Sequence, residues 1–328
     1  MSGLNTSYMG LDIKSPIIIA SCGLTNSVED IIEMERNGAG AVILKSLFEE
    51  EIIVDLQHQV HAMKSENYLY PETMEYYEKE PDSDTLSDYL KLISDCKKAV
   101  NIPIIASVNC VTPHNWTYFA TYLKSAGADA LELNISLLPT DDDRSIAEIE
   151  QVYLDVIKEV KKHVDLPISV KIGPYFTNLA TMVTRLSISG IKSVTLFNKQ
   201  YAADIDINNL AVIGATRFSS PNDYHLTLRW CAILSNRINC EISASTGVHD
   251  GATAIKMLLA GAHTVQIAST LYKNGFYTIR AMNDEIRSWM FKHHYTSLSE
   301  FRGKLCLEDT VDPSAYYRIQ FMKHYSEK

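Results

Sequence analysis

The sequence predicts a single (β/α)8 barrel over residues 1–328, and three observations predict it. A glycine followed by apolar residues four and six positions later recurs at Gly38, Gly127, Gly190 and Gly261, each time behind an amphipathic helical pattern (27–37, 116–126, 178–189 and 252–260). Short β-branched runs open at proline at 16–21, 103–109 and 167–171, and a comparable run covers 240–246, which brings the strands to eight. Helical patterns at about 84–100, 145–164, 224–237 and 276–292 complete the alternation, with no composition shift to mark a linker. A doubly wound open sheet is the alternative architecture.

In chain order, Thr6–Lys14 alternates around Met9-Gly10 like a small hairpin, placed to plug the barrel's lower end. Each repeated glycine reads as a helix C-cap with the next strand starting about three residues on. Residues 47–83 after the second strand and 199–223 after the sixth are far longer than ordinary βα loops. Both leave strand C-termini, so both would overhang the mouth, either as lids or as a dimer contact. Pro167–Phe176 puts Lys171 at the end of a buried strand that stops at Gly173-Pro174. Asp141–Asp143 leads into a helix starting near Ser145.

Barrels of this kind place their chemistry at the strand C-termini. The residues there are Ser21, Lys45, Asn109, Asn134, Lys171, Asn198, Thr246 and Ser269, all polar. Period-two alternation puts Glu132 on the face of Asn134, and Ser169 on that of Lys171. A buried Glu132 needs a cationic partner, for which Lys45 and Lys171 are the candidates. Ser245–Val248 and Ala268–Thr270, after strands seven and eight, are small and polar enough to let backbone N–H groups approach a phosphate.

Composition narrows the function. With 46% hydrophobic and 21% charged residues the composition is that of a soluble globular protein, and a net charge of −10 without a basic block argues against a nucleic-acid surface. No apolar run approaches the ~20 residues that cross a bilayer, and Met1–Thr6 lacks the features of a secretory signal, so the expectation is a cytoplasmic protein with no membrane partner. Six scattered cysteines without a Cys-x-x-Cys pair suit reduced thiols, and no histidine spacing suits a metal.

The run ELNIS at 132–136, VKIGPYF at 170–176, Asn198, the stretch 245–270 and EFRGKL at 300–305 together resemble the dihydroorotate dehydrogenase family. The likeness is strongest to its dihydroorotate dehydrogenase-like branch, and it covers nearly the whole chain. It implies an FMN-binding barrel, a flavin-dependent oxidoreductase of pyrimidine biosynthesis, a small-molecule substrate, an electron acceptor that the sequence does not identify, and a homodimer. By motif it implies that Ala20, Ser21, Lys45 and Ser46 lie along the flavin, and that Asn134 and Asn198 face flavin and substrate. Lys171 would sit beside the flavin pyrimidine, and Thr246, Gly247, Ala268 and Ser269 would hold the phosphate. Lys45, Asn134, Lys171 and Asn198 are thus the expected catalytic set.

The departures bear on substrate. Where the family carries a Cys or Ser that removes the substrate proton, this chain has Leu137, which cannot take one. The asparagine motif that holds the orotate ring is missing around Asn67, Lys199 replaces a serine, and Ser219-Ser220 replaces a Gly-Gly turn. Cys110, His114, Ser136 and Tyr201 are candidates for a replacement acid or base. Oxidation of dihydroorotate to orotate stands beside two alternatives: a flavin-binding or electron-transfer protein without catalysis, and a Schiff-base lyase or aldolase using Lys171.

Overall fold

A computed structural model describes residues 3–48, 85–109, 116–140, 143–199, 203–214 and 216–317. The body of the 47–83 insertion, with Asn67, and the candidates Cys110, His114 and Tyr201 lie outside the described residues.

The N-terminal hairpin forms at its expected turn. Strands β1 (Thr6–Tyr8) and β2 (Leu11–Ile13) pair antiparallel, and Met9 and Gly10 take φ of 57° and 78°, the backbone twist of a two-residue hairpin loop. Tyr8, Met9 and Ile13 pack in one buried cluster with Ile18, Ala41, Ile43, Ile105 and Ala130. Those five are alternate residues of the first barrel strands, so the hairpin fills the base of the barrel.

Eight parallel strands make the ring: β3 (Ile17–Ile19), β4 (Ala41–Ile43), β6 (Ile104–Asn109), β7 (Ala130–Ile135), β8 (Ile168–Ile172), β9 (Ser193–Leu196), β12 (Glu241–Ser245) and β13 (Thr264–Ile267). Pairing of β13 with β3 and of β4 with β6 closes it, which rules out the open doubly wound sheet. A two-residue strand, β5 (Leu47–Phe48), extends the edge of β6. Around the ring lie α1 (Val28–Arg36), α2 (Thr85–Ala99), α3 (Trp116–Ser125), α4 (Ile146–His163), α5 (Leu179–Ile188), α6 (Tyr224–Leu234), α7 (Gly251–Leu259), α8 (Ser269–Asn274) and α9 (Tyr277–Lys292).

The repeated glycines explain the joints. Gly38, Gly127, Gly190 and Gly261 have φ of 91°, 100°, 89° and 107°, a conformation that ends a helix cheaply only with glycine. The following strands begin three residues later, at Ala41, Ala130, Ser193 and Thr264. Helix α4 starts where Ser145 and Glu148 form a reciprocal capping box.

The insertion after β9 is partly a second hairpin. Strands β10 (Ala203–Asp206) and β11 (Ala211–Gly214) pair antiparallel, and every residue of β11 is exposed. Ile207, Leu210 and Val212 are 78%, 89% and 79% exposed.

Above the apolar base the barrel interior turns polar. Gln266 Nε2 lies 3.0 Å from the Tyr8 hydroxyl, 2.8 Å from Glu132 Oε2 and 3.1 Å from Thr195 Oγ1. Burial, and then the Glu132 charge, push the Tyr8 phenol up, so it stays a neutral hydroxyl. Tyr8→Phe removes a buried partner of Gln266 without opening a cavity. It is expected to lower stability by about 1–2 kcal/mol in urea denaturation, with native far-UV dichroism retained.

Candidate functional site

All strand C-termini open on one cavity of about 730 Å³, a size ordinary for small-molecule sites. Each of the expected residues lines it: Ala20, Ser21, Lys45, Ser46, Asn134, Lys171, Asn198, Thr246, Gly247, Ala268 and Ser269. Their arrangement separates into a wall, a floor and a rim.

The wall after β3 and β4 is a chain of hydroxyls. Ser21 Oγ and Ser46 Oγ are 2.9 Å apart, Ser46 N–H donates to Ser21 Oγ at 2.8 Å, and Ser46 Oγ lies 2.8 Å from Ser107 Oγ. Lys45 beside them is exposed.

The floor holds the charged groups. Of the two lysine candidates it is Lys171 that faces Glu132, with Nζ 3.7 Å from Oε1. Strand register is the reason: β7 and β8 pair Glu132 with Ser169 and Asn134 with Lys171, so the lysine is the carboxylate's diagonal neighbour. Glu132 is fully buried and Lys171 is 5% exposed. Lys171 Nζ also donates to Gln266 Oε1 at 3.3 Å. Beside it, Asn198 Nδ2 donates to Asn134 Oδ1 at 3.0 Å.

The rim combines the loops after β11, β12 and β13. Thr246 and Gly247 both have positive φ, 75° and 80°, and Thr246 Oγ1 donates to the Phe197 carbonyl at 2.9 Å. Ser219 N–H donates to Ser269 Oγ at 2.9 Å, and Lys273 Nζ donates to the Ser219 carbonyl at 2.9 Å. Ser219 Oγ lies 3.0 Å from His249 Nε2. Burial, with Lys273 adding to it, holds the His249 imidazole below its usual range. The rings of Phe218 and Tyr272, 5.1 Å apart, continue this end of the cavity.

The loop after β7 divides its side chains. Leu137 packs back against the hydrophobic core and its N–H donates to the Tyr153 hydroxyl at 3.3 Å. Ser136 and Leu138 on either side line the cavity. Ser136, the one candidate for a replacement base that falls within the described residues, lines the cavity. From the same insertion as the exposed hairpin, Lys199, Arg217, Phe218 and Ser219 line the cavity, while Ala203–Gly214 do not.

Sequence reasoning missed Gln266, Phe218 and Tyr272, and placed Ser219 only as the replacement of a Gly-Gly turn. Counting back two residues from Ala268 along β13 would have found Gln266 on the interior face. Phe218 and Ser219 follow a hairpin whose length no local pattern fixes, and Tyr272 sits a turn into α8.

The arrangement gives a buried cation flanked by amides at one end and a hydroxyl-rich, glycine-containing rim at the other. Among the described residues no helix is long and apolar enough to cross a membrane. The model of the family described as dihydroorotate dehydrogenase matches residues 3–290. Curated relatives are named dihydroorotate dehydrogenase B (NAD(+)), catalytic subunit. The chain is 26% identical to that of Pyrococcus abyssi over 312 residues, covering 92% of this chain and 98% of the relative. It is 24% identical to that of Thermoplasma volcanium over 321 residues, with the same two coverages. That of Pyrococcus furiosus is 25% identical over 314 residues, again at 92% and 98% coverage.

Proposed function

The chain belongs to the dihydroorotate dehydrogenase family and is a flavin-dependent oxidoreductase, and from that premise we propose that it binds FMN in this cavity and oxidises a small substrate. The observation that carries the assignment is the cavity's polarity. Its floor offers the buried Lys171 ammonium and the Asn134–Asn198 amides, and its rim offers Thr246, Gly247, Ser219 and Ser269. The donor set fits FMN: a cation and amides suit the alternating acceptors and donors of a flavin pyrimidine, and the small hydroxyl rim suits a phosphate monoester.

When bound, the flavin supplies hydride acceptance. The chain's own part is to hold the ring over the floor, to place Lys171 where negative charge develops, and to orient substrate with Lys45, Asn134 and Asn198. With Leu137 turned to the core, Ser136 is the hydroxyl of this loop placed to relay the substrate proton, taking it up while its own hydroxyl proton passes to water in the open cavity. The relatives' printed names lead us to assign dihydroorotate, or a close anionic analogue, as the substrate class. They also lead us to assign NAD(+) as the final acceptor, reached through another subunit. The exposed apolar hairpin Ala203–Gly214 supports subunit contact, in the simplest case as a homodimer.

Absorbance of the purified protein tests the cofactor, and anaerobic mixing with dihydroorotate tests the substrate. A flavin spectrum that bleaches on mixing, and bleaches about a hundredfold more slowly in Ser136→Ala, is expected. Bleaching unchanged in Ser136→Ala moves the base elsewhere. A flavin that dithionite reduces and dihydroorotate does not excludes this substrate. A colourless protein that takes up no FMN, and that borohydride traps on a carbonyl substrate through Lys171, overturns the oxidoreductase reading in favour of Schiff-base chemistry.

A further inference from the structure

The carboxylate of Glu132 is satisfied on one side only. Its Oε2 accepts from Gln266 Nε2 at 2.8 Å and from Thr195 Oγ1 at 3.1 Å, and Tyr8 Oη lies 3.5 Å away. Its Oε1 has no hydrogen-bond partner and faces Lys171 Nζ at 3.7 Å, beyond hydrogen-bond reach. In a fully buried carboxylate such an oxygen carries a desolvation cost that the opposite charge must offset. Gln266 spans the pair, because its Nε2 donates to Glu132 while its Oε1 accepts from Lys171 at 3.3 Å. That double contact fixes which way the amide points. Lys171 and Gln266 line the cavity and Glu132 does not.

We propose that Glu132 is a positioning residue that holds Lys171 at the cavity floor through Gln266 and, as its counter-charge, limits how strongly that lysine favours the reduced flavin. The inference rests on the FMN assignment above. A cation without a buried counter-charge would attract negative charge in the cavity more strongly than the neutral pair does, since both ions act through a weakly screening interior. Glu132 therefore sets the balance between affinity for oxidised and for reduced FMN. A residue needed for packing alone would weaken both affinities together.

The test is an anaerobic potentiometric titration of FMN-loaded protein, combined with the affinity of the oxidised cofactor. Glu132→Gln is expected to raise the ratio of reduced to oxidised FMN affinity at least about tenfold, which for a two-electron couple is a rise of about 30 mV in midpoint potential. Glu132→Asp keeps the charge but withdraws it by one methylene, and is expected to raise the ratio at least about threefold while remaining below Glu132→Gln. Should Glu132→Gln not fold, Glu132→Asp carries the test alone. Equal loss of both affinities, with the ratio within about twofold of the parent protein in whichever variants fold, overturns the proposal. Failure of the parent protein to bind FMN overturns the cofactor assignment instead.

Discussion

Lys171→Ala lowers the unfolding free energy by about 3–5 kcal/mol, because it strands a fully buried carboxylate without its cation. The loss is measured on apo-protein as a shift of the urea midpoint at constant slope. Glu132 is fully buried and its Oε1 has no hydrogen-bond partner, so the carboxylate relies on Lys171 for its counter-charge. The paired replacement Lys171→Met with Glu132→Gln removes both charges and recovers most of the stability, as replacing a buried ion pair by neutral groups often does. Lys45 supplies the contrast: it is exposed, and Lys45→Ala stays within about 0.5 kcal/mol of the parent protein. A similar loss at both lysines would show that the Glu132–Lys171 pair is not what makes Lys171 costly to remove.

Gly247→Ala is expected to cost about 3 kcal/mol and, on the cofactor assignment proposed above, to abolish flavin binding at micromolar concentration. Part of the cost is the positive φ of +80°, worth about 1–2 kcal/mol for a residue with a Cβ. The rest is overlap, typically about 1–3 kcal/mol where a packed site must shift. The new Cβ would lie 2.3 Å from the Tyr224 nitrogen and 2.7 Å from the Asp223 carbonyl carbon, both backbone atoms at the start of α6. Relief requires that helix to move away from the rim. Gly275→Ala separates the two contributions, because Gly275 has φ +76° and nothing within 4 Å of the added atom. Its φ and ψ of 76° and 176° are adopted readily only by glycine, so it is expected to cost about 1–3 kcal/mol through backbone strain alone and to leave flavin binding unchanged. Thermal melts and flavin fluorescence titration read both outcomes.

Much of the barrel was legible because it is written in local backbone demands. A helix that must end and hand over to a buried strand needs a positive φ, and Gly38, Gly127, Gly190 and Gly261 advertise it. Strand ends were legible for the same reason, and they carry the side chains that meet in the cavity. What local pattern cannot express is which strands are neighbours. Choosing Lys171 over Lys45 as the partner of Glu132 requires the register of β8 on β7. Motif alignment put Leu137 at a reactive position but could not show that it packs toward Tyr153 and leaves Ser136 facing inward. Tyr8 was expected in the plug, yet its contact with Gln266 joins residues from opposite ends of the chain, beyond the reach of any periodicity.

That last contact has a consequence for how the protein is made. The first barrel strand, β3, finds its second neighbour only when β13 emerges, with Ile17 against Val265. A nascent chain therefore carries an unclosed sheet edge through most of its translation, and the closing step joins strands separated by about three quarters of the chain. The last pairing to form also completes the rim, since Ala268 and Ser269 follow β13 directly. Cofactor added during synthesis thus has no finished place to bind until closure. Binding after closure then stabilises the closed ring by mass action, so flavin supply during expression should govern how much soluble protein accumulates.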